Sequence, residues 1–150
     1  MSIKEQLRLD LTEAIRSRDE LTSGTIRMVL SALTNEEVSG KEARVLTDDE
    51  VITVLSREAK KRREASEAFE TAGRADKAAL EKAEGEVIAK YLPAQLSIDD
   101  IKKMITDAIT STCAAGPADM GKVMGAVKPL IAGKADGSVV STLVKEALNK

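Results

Sequence analysis

Several places in this chain combine residue types and spacings that could do chemistry. They are the acidic clusters Asp48-Asp49-Glu50 and Asp99-Asp100, the charge run Arg57-Glu58-Ala59-Lys60-Lys61-Arg62-Arg63-Glu64, the lone Cys113, and the glycine- and lysine-bearing stretch from Asp119 to Gly137. Neighbouring carboxylates can hold a divalent cation or divide acid and base roles between them. Here both clusters fall where the pattern starts a helix, and negative charge in a first turn offsets the positive end of the helix dipole. They are read as capping residues. A cysteine nucleophile needs a base or a strongly cationic setting. The chain has no histidine, so Cys113 lacks the usual partner and is read as structural. The same absence removes the common triad base and the commonest zinc ligand, and with them most hydrolase and metalloenzyme readings. No catalytic residue, metal site or cofactor is assigned.

On a helix turning about 100° per residue, Arg57 and Lys61 share a face opposite Ile52, Leu55 and Ala59, with Lys60 and Glu64 beside them. Arg57, Lys60 and Lys61 thus form a secondary basic patch. Glu58 stands four residues before Arg62 and Glu67 four after Arg63, the spacing of ordinary intrahelical pairs, so a solvated face is the first expectation. Arg62 differs. Its angle falls near the apolar stripe, where its stem can pack and its head can meet an acid.

The stretch from Asp119 to Gly137 holds the most unusual pattern. With Met120, Val123, Met124, Val127 and Ile131 turned to a core, Gly121, Gly125 and Lys128 fall on one flank of the same helix. Glycines leave the backbone open there, to another helix or to a phosphate backbone, and Lys128 and Lys134 can supply positive charge. Gly121-x-x-x-Gly125 has the spacing of a helix-packing motif, and close helix packing is the first expectation for it. Gly133-Lys134-Ala135-Asp136-Gly137 lacks the Gly-Lys-Ser/Thr ending of a P-loop and reads as a helix-to-helix turn. The next helix offers free N–H groups to an anion, which Asp136 opposes unless its carboxylate is engaged in capping.

Helices must carry all of these residues. Ser2 and Glu5 form a capping box before Ile3, Leu7, Leu11, Ala14 and Ile15. A second helix runs from about Thr22 to Ser39 on Ile26, Val29, Leu30 and Leu33, with Gly40 at its end. Thr47 and Glu50 open a long helix with Val51, Ile52, Leu55, Ala59 and Phe69 on one side, and Gly73 stops it. Asp76 can cap the next, whose apolar face is Leu80, Ala83, Val87, Ile88 and Tyr91. Pro93 to Leu96 is the domain boundary, after which Ser97 starts a new helix on Ile101, Met104, Ile105, Ala108 and Ile109. Asp136 caps a last helix with Val140, Leu143, Val144 and Leu148. No segment alternates as a strand does. The fold class expected is all-α, with an N-terminal multi-helix module over 1–93 and a small C-terminal three-helix module over 94–150.

A hydrophobic content of 43% over 150 residues can build cores without disulfides or metal. A lone cysteine forms no internal disulfide, and Met1-Ser2-Ile3-Lys4-Glu5 lacks an apolar signal-peptide stretch, so the expected location is cytoplasmic. No apolar run approaches the roughly 18 residues of a membrane span. The net charge is −2, but the part from Ala94 carries 7 basic and 6 acidic residues whereas the part before it carries 16 and 19. The tail is the less repulsive half for a polyanion.

Asp119-Met120-Gly121-Lys122-Val123-Met124-Gly125 and Gly133-Lys134-Ala135-Asp136-Gly137 resemble the signature of the GatB/YqeY family. Thr25-Ile26-Arg27-Met28, Asn35-Glu36-Glu37, Arg62-Arg63-Glu64, Phe69-Glu70, Ala72-Gly73-Arg74 and Tyr91-Leu92-Pro93 extend the resemblance to the stand-alone YqeY-like proteins over essentially the whole chain. The resemblance implies two helical modules. The smaller is similar to the tail of the GatB component of the glutamine-dependent aspartyl/glutamyl-tRNA amidotransferase, a tail associated with tRNA recognition in translation. Kinase and transamidase chemistry lie elsewhere in that enzyme, so a carbon–nitrogen ligase label with glutamine as amido donor would describe kinship. The expectation is a non-catalytic tRNA-associated binding protein, with Gly121, Gly125, Lys128 and Lys134 toward the tRNA backbone and Lys122 and Lys145 at the periphery of the site. Phe69 and Tyr91, the only aromatic residues, lie on apolar stripes, so base stacking is not expected. The alternative is a protein–protein adaptor for an amidotransferase or aminoacyl-tRNA synthetase, and an accessory carbon–nitrogen ligase activity ranks third.

Overall fold

In a computed structural model, residues 1–149 form seven α-helices and one short 3₁₀ helix, and no strand is present among the described residues. The protein is all-α. The helices are α1 (Ile3–Arg16), α2 (Glu20–Glu37), α3 (Asp48–Thr71), α4 (Ala75–Ala89), α5 (Ile98–Thr112), α6 (Met120–Ile131) and α7 (Gly137–Leu148), with the 3₁₀ turn Pro117–Asp119 before α6. They divide into two compact units, Met1–Leu92 and a second from Pro93 onward.

In the first unit, local chemistry sets the helix ends. Ser2 Oγ accepts from the Glu5 N–H at 3.2 Å while the Glu5 carboxylate accepts from the Ser2 N–H at 2.8 Å. Thr47 and Glu50 repeat the arrangement at α3. Asp19 caps α2 through the Thr22 N–H, so that helix starts at Glu20, two residues earlier than its apolar pattern suggests. It ends at Glu37, before Gly40. Gly73, at φ +75°, closes α3: its N–H reaches the Glu70 carbonyl and the Arg74 N–H reaches Phe69, which leaves Arg74 at the cap position of α4. Asp76 therefore lies inside the first turn of α4 rather than capping it.

The core of this unit gathers Leu7, Ile26, Val29, Leu33, Leu46, Val51, Val54, Leu55, Val87 and Ile88. Two residues expected there, Ile15 and Leu80, are exposed instead. Ile15 is 49% exposed because it sits at the edge of the α1 stripe, one residue before the helix ends. Leu80 is 53% exposed because α4 turns its small side to α3. Ala78 is buried, its carbonyl accepts from Ser66 Oγ at 2.9 Å, and Gly85 lies against the Arg62 stem. Leu80 falls roughly 200° around the helix from Ala78.

In the second unit, Ser97 caps α5 by accepting from the Asp100 N–H at 3.1 Å. The helix ends at Cys113, whose φ of +56° turns the chain back so that the Ala114 N–H meets the Ile109 carbonyl. Ile101, Ile105, Ala108, Val123, Val127, Ile131, Val140, Val144 and Leu148 form its core. Cys113 is exposed at that turn.

Candidate nucleic-acid interface

The basic residues singled out by the sequence differ in their surroundings. On α3, Arg57 pairs with Glu36 at 3.0 Å, Lys61 with Glu58 at 2.8 Å, and Lys60 with Glu64 at 3.9 Å. The secondary patch of Arg57, Lys60 and Lys61 is thus met by carboxylates. Glu58 is no ordinary surface pair: at 8% exposure it is buried, because its place on α3 faces α2 rather than solvent. Arg62, also 8% exposed, behaves as its angle predicted. Its Nε lies 3.0 Å from Glu84 and 3.8 Å from Glu81, Nη1 lies 3.9 Å from Glu58, and Nη2 faces the Met28 sulfur at 3.7 Å. No hydrogen bond reaches that Nε, so the charge is balanced by proximity more than by directed bonds.

Between Met120 and Ala135 the second unit carries Lys122, Lys128 and Lys134 and no carboxylate. Gly121, Gly125 and Lys128 are all exposed on the same flank of α6. A Cβ placed on either glycine would meet nothing within 4 Å, so no helix of the second unit packs closely there among the described residues. The apolar positions that pack α6 are Val123, Val127 and Ile131, and they lie on another side. Pro129 has no N–H to give the Gly125 carbonyl four residues before it, so that carbonyl lacks its usual helical donor.

Lys122 lies about 100° around the helix from Gly121 and pairs with Asp119 at 3.6 Å, so it does not join the Gly121, Gly125 and Lys128 flank. The Asp119 carboxyl is held below the usual range, first by the Ala115 backbone N–H at 2.8 Å and then by the Lys122 charge. Lys134 is exposed in the turn, and Lys145 is exposed on α7 with Ser138 and Thr142. Lys128, Lys134 and Lys145 form no ion pair among the described residues. Asp136 accepts from the Ser138 N–H at 3.0 Å and from Ser138 Oγ at 2.9 Å. Its carboxylate is engaged in capping, the condition under which it ceases to oppose an anion at α7.

One contact had no signature in the motifs. The Gln95 amide donates to the Gly133 carbonyl at 2.9 Å, and the Leu96 N–H donates to the Lys134 carbonyl at 2.9 Å. Gln95 lies 38 residues from Gly133, so no local pattern points to it. No group of three or more His, Cys, Asp or Glu side chains that could hold a metal is present among the described residues. No helix among them is long and apolar enough to cross a membrane.

Fold and sequence together define a class: an all-α protein of two helical units whose second unit carries, from Met120 to Ala135, a stretch with three lysines and no carboxylate. The chain belongs to the family described as Yqey-like protein, which it matches over residues 4–148. It is 30% identical over 107 residues to a Clavispora lusitaniae protein named "Altered inheritance of mitochondria protein 41, mitochondrial", a match covering 70% of this chain and 61% of the relative. A protein of the same name from Pyrenophora tritici-repentis is 27% identical over 149 residues, covering 95% of this chain and 79% of the relative. "Uncharacterized protein C22F3.15" of Schizosaccharomyces pombe is 30% identical over 96 residues, covering 64% of this chain and 76% of the relative.

Proposed function

We propose that this chain is a non-catalytic tRNA-associated binding protein whose C-terminal unit takes the RNA backbone. The observation that carries the reading is the contrast in charge pairing. The basic patch on α3 is met by carboxylates, whereas Lys128, Lys134 and Lys145 are exposed without an ion pair among the described residues. An unpaired surface lysine is a counter-charge for phosphate at no cost of breaking an existing pair. The open backbone at Gly121 and Gly125 lets a phosphodiester chain come close, and Gly125 offers a carbonyl acceptor besides. Neither aromatic residue belongs to the C-terminal unit, so recognition there works through backbone and shape rather than base stacking. The proposal places the protein in the cytoplasm. Two fungal relatives carry mitochondrial names, which makes subcellular fractionation the direct check on that part.

A second reading, a protein–protein adaptor for an amidotransferase or an aminoacyl-tRNA synthetase, is favoured by exposed apolar side chains in the same unit, Leu130 and Val139. Affinity purification of the full chain separates the two. Retained tRNA that is released by salt supports the first; a retained protein with no RNA supports the second.

A further inference from the structure

The turn between α6 and α7 is held from two directions. The Lys134 and Ala135 N–H groups both donate to the Ile131 carbonyl, at 2.8 and 3.1 Å, which ties the turn to the end of α6. The carbonyls of Gly133 and Lys134 point the other way and are met by the segment that precedes α5. Gln95 Nε2 donates to Gly133 O at 2.9 Å and to Pro93 O at 2.8 Å, while the Leu96 N–H donates to Lys134 O at 2.9 Å. Both partners of the Gln95 amide are carbonyls, so only its NH₂ end can face them. The peptide planes on either side of Lys134 are therefore pinned, and only its side chain is free.

Without these contacts the carbonyl side of the turn would be held only through the end of α6. Gly133 stands at φ +73°, and a glycine there brings wide backbone freedom to the unbound state. A lysine on a wandering turn must be ordered before it meets a phosphate, and that ordering subtracts from affinity; a lysine on a pinned backbone is already placed.

We infer that Gln95 is a positioning residue: with the Leu96 N–H it clamps the Gly133–Lys134 turn in the conformation that presents Lys134 to a phosphate. The inference rests on the phosphate-binding reading of this unit. Gln95 is exposed, so its removal does not hollow the core, and the expected effect is the size of one hydrogen bond, about two- to tenfold.

The test uses the full chain with Gln95→Ala, Gln95→Glu, Lys134→Ala and the Gln95→Ala/Lys134→Ala double variant. Amide hydrogen exchange at Lys134 and Ala135 should quicken about two- to tenfold in Gln95→Ala while exchange at Val123 and Val127 stays unchanged. Gln95→Glu should do the same, because a carboxylate cannot donate to either carbonyl. Affinity for an unmodified tRNA transcript should fall by a similar factor in Gln95→Ala, and with Lys134 already replaced the same change should cost nothing further. Unchanged exchange at Lys134 and Ala135 overturns the clamp. Faster exchange with additive losses in the double variant overturns the positioning role. Wild-type protein that binds no tRNA overturns the proposed function, and with it the presentation of Lys134, while the exchange rates still report on the clamp by themselves.

Discussion

Replacing Lys128 and Lys134 together with alanine tests the proposed surface most directly, because neither side chain has an ion pair to lose among the described residues. The variant should change binding without changing the fold, and far-ultraviolet circular dichroism should superimpose on wild type. If each lysine neutralises one phosphate, each contributes a slope of about 0.7 to 0.9 in the dependence of log affinity on log salt. Losing both flattens that slope by about 1.4 to 1.8. At a salt concentration of roughly 0.1 M, one decade below the 1 M reference, the same figures give a loss of about 25- to 60-fold. The assay is fluorescence anisotropy with labelled tRNA across a salt series, since one affinity at one salt does not separate charge from other contacts. Arg57→Ala with Lys61→Ala is the matched control. Those cations face Glu36 and Glu58, so their removal should change slope and affinity less. Unchanged affinity and slope in the Lys128/Lys134 variant refutes the reasoning and gives the adaptor reading precedence.

Arg62→Ala should destabilise the first unit by about 2–4 kcal/mol in urea unfolding, since it takes the cation from partly buried Glu81 and Glu84 and leaves buried Glu58 to Lys61 alone; a change below about 0.5 kcal/mol would show that proximity to three carboxylates contributes little. Gly73→Ala should cost roughly 1 kcal/mol, because only glycine holds φ +75° there without a Cβ penalty, and a neutral thermal melt would show that the turn relaxes. The carboxyls of Glu5 and Glu50 are held below the ordinary glutamate value of 4.5, each chiefly by the backbone N–H of its capping partner, Ser2 and Thr47. A depressed folded value adds stability that is present above the unfolded value and is lost as pH falls through the folded one, so stability should decline below about pH 4.5. Glu50→Gln should flatten that acid limb, measured as the urea midpoint between roughly pH 5 and pH 2; an unaltered limb contradicts the capping assignment.

Much in this fold that depends on near neighbours could be read from the sequence, although the Asp19 cap of α2 and the place of Asp76 inside α4 were not. Capping boxes at Ser2 and Thr47, the Gly73 stop and the Asp136 cap are each completed within a few residues, and each appears as the spacing implies. What depends on the angle at which two helices meet was hidden. Leu80 belongs to a good apolar stripe but loses its place because Ala78 and Gly85 let α4 approach α3 on a different side. Glu58 has the spacing of a surface pair and is buried for the same kind of reason. At the candidate site, the placement of Gly121, Gly125 and Lys128 on one flank followed from helical periodicity. The Gln95 contact joins residues 38 apart and had no such periodicity behind it.

The glycine spacing in α6 shows why a motif has to be judged with its surroundings. In a membrane or a tight bundle, Gly-x-x-x-Gly is used by a partner helix that fills the space above both glycines. Here that space is open, and the helix buries its Val123, Val127 and Ile131 side instead. Pro129 then sharpens the difference. A packing face is best served by a regular helix, whereas Pro129 withholds a donor from Gly125, where an added side chain would meet open space. A self-sufficient helix gains nothing from that combination. A surface that meets hydroxyl donors and phosphates gains an acceptor and, with Lys128 beside it, a counter-charge. Restoring the donor with Pro129→Ala therefore separates the two uses. If the flank serves RNA, the variant should be as stable as wild type or more so while binding tRNA less tightly. If the flank has no ligand, stability should change with no change in binding, and the Gly125 carbonyl has no part in recognition.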